Sequence, residues 1–545
     1  MILDGTETSL NESIKELNLF EKISGLKINL SKSQVIWIGN KKYSDTIFHP
    51  EWKLRWGDKA FTLLGIDFHV DLHMIPKLNY DKKLVKIKGL INTWKNRPLT
   101  PIGRITVIKS LLSSQLNHLF MALPNPSQNF LRQLNTELYH FLWNSKIDKV
   151  RRDVIVQHYL NGGLKMINIK AYMDSLKLTW IRRLYNTNSK WQHILKTYIN
   201  IDMLSNCGSE YISVCTREIK NEFWKNVFAA WHALMNKINN RDSKVKNILK
   251  IPIWYNNLFQ VDNSSVFYNE WYKKGVIIIN DIIKDKKTCT FLGIEDLNTR
   301  YQIKTNFLQY YGIINAIKHS LSIDDIIQEE NTCDYPFIPT QLEIFFKNKN
   351  GIKDFYEILN KIQTPSSGKE LWNSIFHLDD ETWERIYSLP FKTTKNTKFQ
   401  WLQYRINQHI LTTNSYLFKC GIVNSPLCDR CKIEVETIEH LIWECIEVQN
   451  FLFNLEQFLD AMRIPFSFNK TTFIFGLYNS RGICATNKTD NLILLIIKQF
   501  IYSTRCLNKT LSVQGLLRNI QNAYETHSYI VNMKGEWAKN AFENE

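Results

Sequence analysis

Residues 80–94 read Tyr-Asp-Lys-Lys-Leu-Val-Lys-Ile-Lys-Gly-Leu-Ile-Asn-Thr-Trp. Leu84, Ile87 and Ile91 recur at spacings of three and four, while Lys82, Lys83, Lys86 and Lys88 take the other faces. That is the period of a helix with one apolar stripe, and not the alternation of a strand. The period begins at about Pro76 and persists. Arg104–Leu119 and Asn129–Trp143 follow as predicted helices. Between them lies Leu123-Pro124-Asn125-Pro126, where two prolines fix φ and remove backbone donors, so a loop is required. Asn161-Gly162-Gly163 reads as a turn, and Ala171–Tyr185 is helical again.

Outward from this segment the pattern changes. Leu10, Ile14, Leu17 and Phe20 predict a helix that Gly25 ends, since glycine tolerates the positive φ of a helix stop. Met1-Ile2-Leu3, Gln34–Gly39 and Phe61–Phe68 are short β-prone runs. A strand at the first residue has no partner before it, so the chain is expected to start inside a sheet. Residues 191–390 are mostly helical by pattern and carry no strong motif. Phe399–His409 is amphipathic, a cysteine cluster follows, and Asn491–Ala541 is helical. The predicted fold is mainly α with a small α+β portion at the N-terminus. Boundaries fall at 1–75, 76–190, 191–390, 391–450 and 451–545.

Charge narrows the function. The chain of 545 residues carries a formal net charge of +17. Between Lys77 and Lys170, sixteen Lys or Arg stand against four acids, an excess of twelve in under a fifth of the length. A field that concentrated suits a polyanion, because each neutralised phosphate releases condensed counterions. The competing reading is a solvated basic face. No secretory signal opens the chain, and its longest apolar runs are broken by Asn280/Asp281 and Lys498, short of the roughly 18 residues that span a bilayer. Ten Cys without dense spacing indicate a reducing compartment. The expected location is cytoplasmic, nuclear or both, not secreted, with no membrane partner.

One cysteine cluster is different: Cys428-x2-Cys431-x8-His440-x4-Cys445. A C-x2-C knuckle lets two thiolates converge on one ion, and a His and a Cys about one helical turn apart can complete a tetrahedron. Three thiolates and an imidazole suit zinc in a closed, structural site without an open position for water. Chance alone produces a C-x2-C among ten Cys readily, but seldom with both remaining ligands. The paired acids Asp324-Asp325 and Asp379-Asp380 are the candidates for two-metal chemistry. Neither sits on a hairpin between β-prone runs, and both read as exposed helix starts, where acids favour the amino end of the dipole. No Walker loop, GxSxG elbow or HExxH helix occurs. Aromatics interleave with cations at Trp94-Lys95-Asn96-Arg97 and near Phe141-Leu142-Trp143; stacking on bases is available to them, and core packing is the stronger expectation for Phe141 and Trp143.

Several of these stretches together resemble one family, the LINE-type (non-LTR) retrotransposon reverse transcriptases. Gly25-Leu26-Lys27-Ile28-Asn29-Leu30-Ser31-Lys32-Ser33 is similar to the segment after their active-site hairpin. Leu63-Leu64-Gly65-Ile66 is similar to the next hairpin, where Leu64 and Gly65 would support the primer end. Trp94–Thr100, Gly103–Leu111, Leu123–Pro126, Phe141–Asn144 and Gly162–Met166 resemble the thumb. The cysteine cluster, with Glu436-Thr437-Ile438-Glu439-His440-Leu441, resembles the family's zinc knuckle. The resemblance runs in order over nearly the whole chain, most closely over 1–185 and 395–450. It implies the end of a palm at 1–75, a basic thumb at 76–190, a helical linker region at 191–390, a zinc-knuckle module at 391–450 and a helical tail. It implies RNA or an RNA/DNA template–primer as partner, no small-molecule substrate, and a structural zinc. Lys95, Arg97, Arg104, Lys109, Lys149, Arg151 and Arg152 are the expected backbone contacts.

The family's aromatic-Ala-Asp-Asp motif is absent and would fall just before Met1. Magnesium, which those aspartates hold, is expected only for an intact polymerase. The chain is therefore expected to grip nucleic acid without extending it. The alternatives are an active RNA-directed DNA polymerase whose upstream half is missing from this sequence, and a host-adopted, zinc-stabilised helical scaffold.

Overall fold

The computed structural model describes the chain except for residues 30–31, 146, 187–188, 240–247, 286–287, 289, 322–350, 362–363, 465, 478–484 and 535–545. The described residues are mainly helical, with three short antiparallel hairpins. They fall into two units whose segments interleave along the chain. One comprises Met1–Leu90, Ser114–Asn135 and Ile169–Leu359; the other comprises Ile91–Ser113, Thr136–Asn168 and Asn360–Glu545. The basic stretch 77–170 is shared between them.

In the first unit, helix Glu7–Ser24 is capped by the Thr6 hydroxyl, which accepts from Ser9 N. It ends where Gly25 takes φ 71° and its N–H donates to Glu21 O. Met1–Leu3 is exposed coil and Gln34 makes a single bridge to Arg55, so two of the three β-prone runs form no strand. Phe61–Phe68 does: Ala60–Leu63 pairs antiparallel with Ile66–His69 across a two-residue turn. Leu64 (φ 51°) and Gly65 (φ 77°) give that turn the positive φ values that match strand twist. Helix Met74–Lys95 buries Ile75, Tyr80, Leu84 and Ile87, the stripe its period predicts. Pro76 sits in its first turn, where no backbone donor is needed.

The main core of this unit lies further along the chain. Helices Ile169–Asn186, Glu222–Asn239 and Gly351–Leu359 contribute Leu178, Ile181, Val227, Phe228 and Phe355 to one apolar cluster with Trp254 and Trp271. The Trp254 indole is buried and donates to Val276 O at 2.7 Å, so its polar edge is satisfied. This is the region whose pattern predicted helices without a motif.

In the second unit, Thr100 caps helix Pro101–Val107 by accepting from Gly103 N, with Pro101 in the first turn. The single helix expected over 104–119 is instead wound in pieces: a π turn at Ile108–Leu112 in this unit, then a 3-10 turn at Ser113–Leu116 and helix Asn117–Ala122, whose residues from Ser114 on belong to the first unit. Thr106 and Ser110 hydroxyls donate back to the Ile102 and Thr106 carbonyls, which loosens the regular ladder. Gly162-Gly163 is a turn forced by contact. A Cβ on Gly163 would lie 2.1 Å from Gln157 O. Gly162 (φ 76°) accepts from Gln408 Nε2 at 2.7 Å. The core gathers Trp372, Trp383, Leu402, Ile406, Phe475, Ile497 and Ile501. Helices Thr397–Asn407, Ile446–Ala461, Ala485–Cys506 and Val513–Lys534 belong here; the first matches the amphipathic reading, while the tail expected to be helical over 491–541 is broken at 507–512 and its residues 535–541 lie outside the described residues. Among the described residues no helix is long and apolar enough to cross a membrane.

Candidate functional site

The cysteine cluster is assembled by three local devices. Leu427 bridges Val435, Cys428 N donates to Glu434 O, and Glu436 N donates to Pro426 O, so residues 426–436 form a tight β-like knuckle. At its tip Lys432 adopts φ 56° and donates its N–H to Cys428 O, folding Cys431 back toward Cys428. A single π turn, His440–Glu444, then presents His440, and Cys445 stands at the start of helix Ile446–Ala461.

These devices bring Cys428, Cys431, His440 and Cys445 together, with one ligand atom from each lying within 4.8 Å of all the others, a group that could hold a metal ion. The distances fit a tetrahedron. Metal–thiolate bonds of about 2.3 Å at tetrahedral angles separate two sulfurs by about 3.8 Å. Cys428 Sγ and Cys445 Sγ are 3.8 Å apart, and Cys431 Sγ is 3.4 Å from His440 Nε2. Glu434 lies 3.1 Å from His440 Nδ1, and a carboxylate there keeps the proton on Nδ1 and turns Nε2 toward the thiols.

The electrostatics favour at least one thiolate. The hydrogen bond with Cys428, and then the amides of Glu447 and Val448 at the helix start, outweigh burial and bring Cys445 down to about 7. Cys428, the other member of that bond, is pushed up. Cys428, His440 and Cys445 are buried and Cys431 is half-buried, so the site has the closed character of a structural centre. All seven described cysteines are free.

A surrounding shell escaped the sequence reading. Arg430, between the two knuckle cysteines, donates to Ile501 O and Thr504 Oγ1, both at 2.7 Å, near the C-terminal end of helix Ala485–Cys506. Arg505 of that helix pairs with the fully buried Glu436 at 2.7 Å, and Glu436 also accepts from Asn414 N. Arg430 and Glu436 lie inside the motif and could have been singled out as a charged pair beside a metal. Nothing in the sequence links Arg505 to them.

The seven basic residues are differently placed. Lys95 and Arg97 are exposed, with the Arg97 guanidinium 4.1 Å from the Trp94 ring centroid. Arg104 is only 6% exposed; it donates to Phe141 O at 2.6 Å and Asn144 Oδ1 at 3.2 Å, so its guanidinium serves the packing of this unit. Lys109 and Lys149 are exposed. Arg151 pairs with Asp153 at 2.6 Å, and Arg152 pairs with Asp148 at 2.7 Å while lying over Tyr139. Leu64 and Gly65 form the hairpin tip, with Leu64 85% exposed. Phe141 and Trp143 are core residues.

Of the paired acids, Asp379 caps helix Asp380–Thr393 by accepting from Thr382 N, and Asp380 is exposed in its first turn, as a helix start requires. Asp324-Asp325 lies outside the described residues. Compared with models of known protein families, the chain matches none.

Proposed function

We propose that this chain is a nucleic-acid grip built like the carboxy-terminal part of a non-LTR retrotransposon reverse transcriptase, without polymerase activity of its own. The end of a palm occupies 1–75, with Leu64 and Gly65 at a primer-supporting hairpin; the thumb occupies 76–190, the linker region 191–390 and a zinc-knuckle module 391–450. The observation that carries the reading is the division of faces on helix Met74–Lys95. Its apolar stripe is buried while Lys77, Lys82, Lys86 and Lys88 lie exposed along the rest. Lys82 has Asp67 at 3.1 Å; an exposed pair of this kind is weak and can be exchanged for phosphate. The ion at the cluster is zinc, because three thiolates and an imidazole select it over magnesium or calcium. Its part is to hold the fold of 391–450.

Fluorescence anisotropy on an RNA/DNA primer–template, at several salt concentrations, tests the grip. Backbone contacts without base readout predict weak sequence preference and a steep log–log salt dependence. Weak binding that ignores salt would overturn the reading and favour a zinc-stabilised helical scaffold.

A further inference from the structure

Lys498, on helix Ala485–Cys506, is only 1% exposed. A lysine brings three N–H donors and a charge, and inside a protein both need partners. Nζ donates to Gln403 Oε1 and, at 3.1 Å, to Ile474 O. Both acceptors are neutral. Gln403 Nε2 also donates to Ile474 O, at 2.9 Å, so that carbonyl has both lone pairs engaged. Among the described residues one ammonium N–H is left over, and no carboxylate pairs with the charge.

Lys498 lines a small cavity in this unit together with Gln403, Thr393 and Asn491, against apolar walls that include Phe475 and Leu494. All four polar side chains are under 5% exposed. Other helical hydroxyls of the unit bond back to their own helix, Ser388 Oγ to Arg385 O and Thr504 Oγ1 to Phe500 O. Thr393 Oγ1, buried at the end of helix Asp380–Thr393, makes no hydrogen bond. Asn491 is engaged: its Oδ1 accepts from Leu477 N and its Nδ2 donates to Leu477 O. The cavity therefore offers donors and positive charge, from the Lys498 ammonium and the Thr393 hydroxyl. Its space admits a single particle of about water size, which excludes phosphate and larger polyatomic anions. A water would satisfy the donors and leave the charge unpaired. A halide accepts from every side and carries one negative charge, so it satisfies both.

We propose that Lys498 and Thr393 form an internal site for one monovalent halide, chloride in a physiological medium, which pins helix Asp380–Thr393 to helix Ala485–Cys506. The site is independent of the nucleic-acid reading and makes the stability of this unit depend on the anion present.

The full chain is melted in sodium chloride and in sodium gluconate at equal concentration, gluconate being too large to enter. A bound ion at roughly ten-fold over its dissociation constant should raise the thermal midpoint by about 3–6 °C for a unit of this size. Lys498→Met, similar in volume but uncharged, should melt alike in the two salts. Thr393→Val keeps the shape, drops the hydroxyl, and should show a smaller chloride shift than the parent. Line broadening of the chloride NMR resonance by the parent, reversed by bromide and absent in Lys498→Met, gives a second readout. Equal parent midpoints in both salts, with no such broadening, would leave water as the occupant and overturn the proposal. A chloride shift of parental size in Thr393→Val would overturn it as well, even where Lys498→Met fails to fold, because the anion would then sit elsewhere.

Discussion

At the scale of single residues, the second unit depends on positions where the wrong atom has nowhere to go. Gly163 is the sharpest case, since the added methyl of Gly163→Ala would meet the Gln157 backbone oxygen and not a side chain that can swing aside. Overpacking against fixed backbone should cost about 1–3 kcal/mol or more, read as a lower denaturant midpoint with an unchanged slope. A variant as stable as the parent would show that the turn relaxes freely. Lys498 is a second case. It is buried, donates to Ile474 O at 3.1 Å and to Gln403 Oε1, and burial lowers it to about 7. The unfolded lysine keeps its proton up to about 10.4. Between those values the unfolded chain binds the extra proton, so stability should rise with pH from about 7 toward 9, by at most about 1.4 kcal/mol per pH unit per group. Lys177 in the first unit, also lowered to about 7 by burial, adds to the same slope. Lys498→Met should remove part of that slope. A pH profile of urea unfolding that is equally steep in the variant would show that Lys498 stays protonated.

At the scale of elements, the metal cluster should bind one ion per chain and lose it in His440→Ala. Elemental analysis reads the occupancy, and full zinc retention in the variant would mean that the ligand set is wrongly chosen. Chelation should also loosen helix Ala485–Cys506, since Arg430 reaches Ile501 and Thr504 from between two ligands; hydrogen exchange over 497–506 measures it. This cluster was legible in the sequence because its ligands are close along the chain and their spacing carries the geometry. So were helices with one apolar stripe, such as Met74–Lys95; Phe61–Phe68 read as a single β-prone run, and only the family resemblance suggested the hairpin that the structure forms at Leu64-Gly65. What was not legible depends on distant partners. The β-prone run at Gln34–Gly39 forms no strand because propensity needs a neighbouring edge, and among the described residues its bridge is the one from Gln34 to Arg55. Arg104 reads as one more surface cation until Phe141 O and Asn144 appear beside it. The large core around Trp254 and Trp271 left no motif because packing specifies volume and not residue order.

At the scale of the whole molecule, positive charge and acid placement point the same way. The cations concentrate over 77–170, whereas the adjacent-acid pair that can be placed, Asp379-Asp380, serves a helix start: Asp379 is occupied by Thr382 N, and Asp380 lies 2.5 Å from Lys369. Nucleotidyl transfer needs two carboxylates free to share metal ions beside a primer end, and hydrogen-bonded capping is incompatible with that task. Gripping needs only cations on an exposed face. The two activities should therefore separate in one preparation. The full chain, incubated with primer–template, deoxynucleotides and magnesium or manganese, should retain the nucleic acid by anisotropy and extend none of it by gel. Extension above background would overturn the inactive reading and direct attention to carboxylates other than Asp379 and Asp380. Retention without extension, surviving in Asp379→Asn/Asp380→Asn but lost as salt rises, would show that backbone charge alone holds the duplex.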